Sequence, residues 1–215
     1  MTELMYLARY FHMVPPIPRL MIGSFVVLTV AGALVMLVTA HDHAAAAMPI
    51  VVLQAFSAST GFVVPARRGY YDLLLARGAT PTRIALVQWL VAVAPGLCSW
   101  AILSGLHATL DGRENPLMQP GTTIAFLMTS TIPWALNVAL PRFSGAIGWL
   151  LLVCLASTGG VIWPDTVHDV IFPVGLIGRG VGRDAGIAAV LLSALSMAAA
   201  LIWVRGADIR LEAAQ

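Results

Sequence analysis

The sequence predicts an all-α integral membrane protein, and three observations carry that expectation. Of 215 residues, 59% are hydrophobic and only 10% charged, against about 25% charged in soluble domains. Six apolar stretches approach the roughly 20 residues that a helix needs to cross a hydrocarbon core about 30 Å thick. The twelve basic residues are all arginine, and they collect in alternate loops. One transmembrane domain over residues 1–215 is the organisation expected, with no soluble domain among the apolar runs.

The N-terminal segment "TELMYLARYFH" places Leu4, Leu7, Ala8 and Phe11 on one side of a helix, with Glu3, Arg9 and His12 elsewhere, and "VPPIP" stops it. Such a helix lies on a membrane surface. No short apolar core with a cleavage site precedes the first span, so a secretory signal is not expected in Met1 to Pro18. The spans are then Leu20 to Ala40, Ala44 to Val64, Ile84 to His107, Thr122 to Leu140, Ser144 to Ile162, and Ile187 to Arg205.

Charge orients them. With the N-terminus inside, Arg9, Arg19, Arg67, Arg68, Arg77, Arg83, Arg142, Arg205 and Arg210 are cytoplasmic, while Arg113, Arg179 and Arg183 are outside. Nine against three satisfies the excess of cationic residues on the cytoplasmic side, and it puts both termini there. The stretch from Trp163 to Asp184 is too apolar for a free loop and too broken by Pro and Gly for a span. It reads either as a pair of short helices dipping into the outer leaflet or as a loop resting on headgroups.

Inside the spans, ionisable groups reduce to His107 near one boundary, which removes support for a proton relay. Gln54, Ser57, Thr60, Gln88, Thr129 and Asn137 are the polar candidates to line a path for an amphipathic substrate. The competing use of such residues is hydrogen bonding between helices. Cys98 and Cys154 sit in apolar runs, with no paired metal-ligand spacing. The "HDH" of His41 to His43 reads as a solvated turn, so no metal site is expected. The nucleophile turn and later histidine of an intramembrane protease are missing, as are the clustered aspartates of a phosphatidyl-alcohol transferase and the paired Asn-Pro-Ala caps of a water channel. An enzyme is not expected.

The loop "RRGYYDLLLARGATPTR", Arg67 to Arg83, holds the remaining signal. Gly69 begins a short helix, Tyr70 to Arg77, with Asp72 and Arg77 complementing the helix dipole at its two ends. Gly78 is the stop, Thr80 the N-cap of the next helix and Pro81 its first residue. Leu73, Leu74 and Leu75 give the short helix more apolar surface than a water-facing loop carries, so it must rest on lipid, on its own spans or on another protein.

A transverse cytoplasmic helix between the second and third of six spans, bordered by Arg and Gly, resembles the coupling helix of type-2, exporter-type ABC transporter permeases. Gly69, Asp72, Leu74, Leu75 and Arg83 take places of that family's loop pattern, while "ARR" stands where it has an upstream acid and Tyr70-Tyr71 where it has Thr-Leu. The separation of Asp72 from Gly78 also resembles the loop of binding-protein-dependent importers, which have fewer spans after it.

The resemblance implies a permease subunit in a bacterial cytoplasmic membrane, exporting a lipid, hydrophobic peptide or drug-like compound. It implies an ATP-binding partner that holds ATP and Mg and docks on Gly69, Asp72, Leu73, Leu74, Leu75, Arg77, Gly78 and Arg83. A second permease copy or a related permease would complete the path; nucleic acid is not an expected partner. The chain itself has no GxxxxGK[ST] phosphate loop. A membrane anchor or assembly subunit that recruits a cytoplasmic protein through the same loop is the alternative of a different class.

Overall fold

A computed structural model describes residues 23, 26, 27, 30–35, 48–60, 69–110, 119–140 and 183–206. The described secondary structure is entirely helical: α1 (Met48–Thr60), α2 (Tyr70–Ala76), α3 (Pro81–Leu110), α4 (Pro120–Ala139) and α5 (Arg183–Gly206), with residues 30–35 also helical. The predicted N-terminal amphipathic helix, the His41 to His43 turn, the span from Ser144 to Ile162 and nearly all of Trp163 to Asp184 lie outside the described residues.

Local chemistry accounts for the turn around α2. Gly78 adopts φ +80°, and the N–H of Ala79 donates to Leu74 O at 3.1 Å while that of Gly78 donates to Leu75 O at 2.9 Å. This paired closure is the Schellman motif, and Leu74 and Ala79 make the apolar contact that accompanies it. Thr80 Oγ1 accepts from the Arg83 N–H at 3.4 Å, and Pro81 starts α3 at the one position where a missing N–H costs nothing. Because an L side chain at φ +80° costs about 1–2 kcal/mol, Gly78→Ala should lower the thermal unfolding midpoint. Gly78→Asn should lower it less, since Asn tolerates the left-handed region.

At about 1.5 Å per residue, α3 with 30 residues and α5 with 24 are the longest rods. Pro81–Leu106 of α3 and Gly186–Gly206 of α5 are long and apolar enough to cross a membrane. Helix α4 is the hub: α1 and α5 pack on it most extensively, and α3 packs on α1, α4 and α5. Its glycine, alanine and hydroxyl positions, among them Gly121, Ala125, Ser130 and Ala135, allow that close approach.

Two buried clusters lie at opposite ends of the bundle. The first joins Ala33, Ile50, Val51, Val93, Leu103, Ala125, Phe126, Met128 and Ala189; the second joins Ala58, Tyr71, Ala79, Ile84, Ala85, Trp134, Ala135, Val138, Ala200 and Val204. Along α1, α4 and α5 the first cluster precedes the second, and along α3 it follows. Helices α1, α4 and α5 therefore run one way and α3 runs the other.

Polarity is distributed inside-out relative to a protein folded against water. Gln54, Gln88, Ser99, Thr122, Thr129 and Asn137 are buried, while Leu97, Leu191, Leu195, Ile202 and Trp203 are exposed.

Candidate functional site at the short helix

Helix α2 is short enough that its own hydrogen bonds cannot hold it, so its position depends on side chains. Tyr71 is 1% exposed and belongs to the second cluster, with Ala58 of α1, Ile84 and Ala85 of α3, Trp134 and Val138 of α4, and Ala200 and Val204 of α5. Leu74 and Leu75 are half-buried against the same cluster. Residues 71, 74 and 75 are one face of a helix by their i, i+3, i+4 spacing. Of the three supports the sequence allows, the chain's own helices take this face.

The other face is open. Asp72, Ala76, Arg77 and Gly78 are exposed, as is Gly69 at φ +70°, and Arg83 in the first turn of α3 is half-exposed. Leu73 lies within α2, but its side chain is outside the described residues. The predicted docking residues therefore divide: Gly69, Asp72, Arg77 and Gly78 share the accessible surface, while Leu74 and Leu75 turn toward the bundle.

Above α2, three helices are tied in a closed ring of side-chain-to-backbone hydrogen bonds. Gln54 Nε2 and Ser57 Oγ of α1 donate to Ala92 O of α3, at 3.3 and 2.8 Å. Trp89 Nε1 of α3 donates to Ser130 O of α4 at 3.1 Å. Asn137 Nδ2 of α4 donates to Ser59 O of α1 and closes the ring.

Two of the acceptors lie near prolines. Ala92 and Ser130 each stand three residues before a proline inside a helix, Pro95 in α3 and Pro133 in α4. The donor that each proline lacks would have bonded the carbonyl four residues earlier, of Val91 and of Thr129, so each acceptor is the next carbonyl along from an interrupted bond. In an apolar setting, carbonyls in such a turn are satisfied by neighbouring helices and by hydroxyl side chains. Hydroxyls also bond back within their own helices: Thr129 Oγ1 donates to Ala125 O at 2.8 Å, Ser130 Oγ to Phe126 O, and Ser99 Oγ to Pro95 O at 2.9 Å.

Of the residues predicted to line a path, Gln54, Ser57 and Asn137 thus bond across helices, and Thr129 bonds within its own helix. Gln88 is buried, and the side chain of Thr60 is outside the described residues.

Sequence reasoning passed over Tyr71, Trp89, Trp134 and Gly96. The spacing of Tyr71 with Leu74 and Leu75 was a usable signal for the first, and the mid-helix prolines for the second. Gly96 is a contact point between three helices, because a Cβ there would overlap Gln54 Oε1 and lie 2.8 Å from Phe126 Cε2.

The arrangement sets the charged surface of α2 over buried Tyr71 and Trp134, with α1, α3 and α4 tied together behind. Comparison with protein-family models, with curated proteins and with solved structures finds no match to this chain.

Proposed function

We propose that this chain is the membrane-spanning permease subunit of an ATP-driven ABC transporter, exporting a hydrophobic or amphipathic substrate while ATP and Mg are held by a separate subunit. The observation that carries the reading is α2 itself. It is a short helix in the turn between two long helices, anchored by Tyr71 and offering Asp72, Ala76 and Arg77 to a partner.

Helix direction supports six spans. Helices α1, α4 and α5 run alike, as the second, fourth and sixth spans would, and α3 runs oppositely, as the third would. Helix α4 ends at the second cluster and α5 begins at the first, as they would if the fifth span expected from the sequence lay between them. The α2 end is then cytoplasmic, and the exposed leucines of α3 and α5 face lipid. Four spans after the loop favour export over import. A second permease copy completes the path, and the motor is the partner's.

The test is co-expression with candidate ABC ATP-binding subunits from the same genome, followed by purification and an ATPase assay in nanodiscs. A stable complex is expected, and reversing both charges, Asp72→Arg with Arg77→Glu, should cut association at least tenfold and abolish the ATPase response to the permease. Association that is indifferent to those changes would overturn the docking assignment. A complex whose ATPase never responds to the permease would instead identify an anchoring subunit.

A further inference from the structure

Far from α2, the N-terminal turns of α4 and α5 line an open groove of about 410 Å³, bordered by Pro120, Ile124, Arg183, Gly186, Ile187, Val190 and Leu191. We propose that this groove is a binding site for an anionic phospholipid of the outer leaflet. The inference rests on the membrane reading above, though not on the identity of the transporter.

The lining has the chemistry of an amphiphile's counterpart. Its walls are aliphatic, and Arg183 is the one charged residue among them. Ile187, Val190 and Leu191 are each about half exposed, so an acyl chain has open hydrocarbon surface to cover. Arg183 stands at the end of that surface, where an acyl chain would meet its headgroup, and a guanidinium binds phosphate with two parallel donors.

One further feature favours negative charge at that end, and another fixes which end it is. Pro120 and Arg183 are the first residues of α4 and α5, so both helix N-termini bring their positive dipole ends to the groove. Ala189 belongs to the cluster remote from α2, whereas Ala200 and Val204 share a cluster with Tyr71. The groove therefore opens at the end opposite the docking helix. Its volume falls within the range of about 300–1,000 Å³ typical of ligand clefts.

The experiment uses the full chain purified in a neutral detergent, titrated with phosphatidylglycerol or phosphatidylcholine and read by native mass spectrometry and thermal unfolding. Wild type should retain phosphatidylglycerol about fivefold better, the increment expected of one arginine at a membrane surface. Arg183→Gln should abolish that preference, while Arg77→Gln, at the other end, should preserve it. Ile187→Trp, which fills the groove, should lower retention of both lipids.

Equal retention of the two lipids by wild type, or a preference that survives Arg183→Gln, would overturn the proposal. So would a dimer that Ile187→Trp dissociates while lipid retention stays constant, since the groove would then be an interface between copies. If the membrane reading itself is wrong, the chain will appear in the soluble fraction without detergent, an outcome distinct from all of these.

Discussion

Tyr71→Ala is expected to detach α2 from the bundle and to lower stability by about 3–5 kcal/mol, the range for removing a buried aromatic side chain. The size of the effect follows from position. Tyr71 is 1% exposed in a cluster fed by all four long described helices, so no single helix can relax into the space it leaves. Among the described side chains of α2 none offers a comparable hold, because Leu74 and Leu75 are only half-buried and Asp72, Ala76 and Arg77 face outward. Tyr71→Phe keeps the ring and should cost far less.

Two measurements separate anchoring from simple stability. The first is hydrogen exchange of the Tyr70–Ala79 backbone, which should rise in Tyr71→Ala even below the unfolding temperature. The second follows from the proposed permease role: the ATPase response of the co-purified complex should be lost in Tyr71→Ala while association through Asp72 and Arg77 persists. Trp134→Ala supplies the contrast, since it also empties the cluster but leaves α2 its own anchor. If the two variants lose stability equally and neither changes exchange in α2, Tyr71 is an ordinary core residue.

Hydropathy located the helices better than it located their ends. The run beginning at Ile84 is apolar, but α3 starts at Pro81 because Thr80 caps a first turn of Pro, Thr and Arg. Likewise α5 starts at Arg183 rather than Ile187, with "RDAG" as a polar first turn that a hydropathy reading discards. Capping chemistry is local, and the Gly78, Thr80 and Pro81 assignments needed nothing beyond the sequence.

Helix neighbours are not local. That Trp89 would reach Ser130 O, or Asn137 the carbonyl of Ser59, depends on which helices touch and at what height. Periodicity in a uniformly apolar helix does not report this, since every face is equally hydrophobic. The short helix shows the same limit. Its apolar face was legible, but the choice among lipid, partner and own bundle required the position of Ile84, Trp134 and Val204.

The second large effect concerns Gly96, where two opposing terms must be weighed. Gly→Ala inside a helix ordinarily gains about 1 kcal/mol from backbone propensity. Against that, a Cβ at Gly96 would overlap Gln54 Oε1 and approach Phe126 Cε2 to 2.8 Å. Gln54 is 1% exposed and Phe126 7%, so neither has solvent to retreat into.

The amide of Gln54 can swing aside only by giving up its bond to Ala92 O, which breaks one link of the ring. Phe126 is fixed edge-on to Trp100, with ring centroids 4.7 Å apart and planes at 89°. Overpacking of this kind costs typically about 1–3 kcal/mol, so after the propensity gain Gly96→Ala should be net destabilising by up to about 2 kcal/mol. Gly96→Leu should fail to yield a folded chain.

Adding Gln54→Ala to Gly96→Ala removes the worse overlap but leaves Phe126 in place, so a double-mutant cycle should return a favourable coupling with partial rescue. Unfolding midpoints in detergent give all four corners. A stabilising Gly96→Ala would mean that α1 and α4 do not close on α3 at this height, and the ring of Gln54, Trp89 and Asn137 could not then be drawn tight.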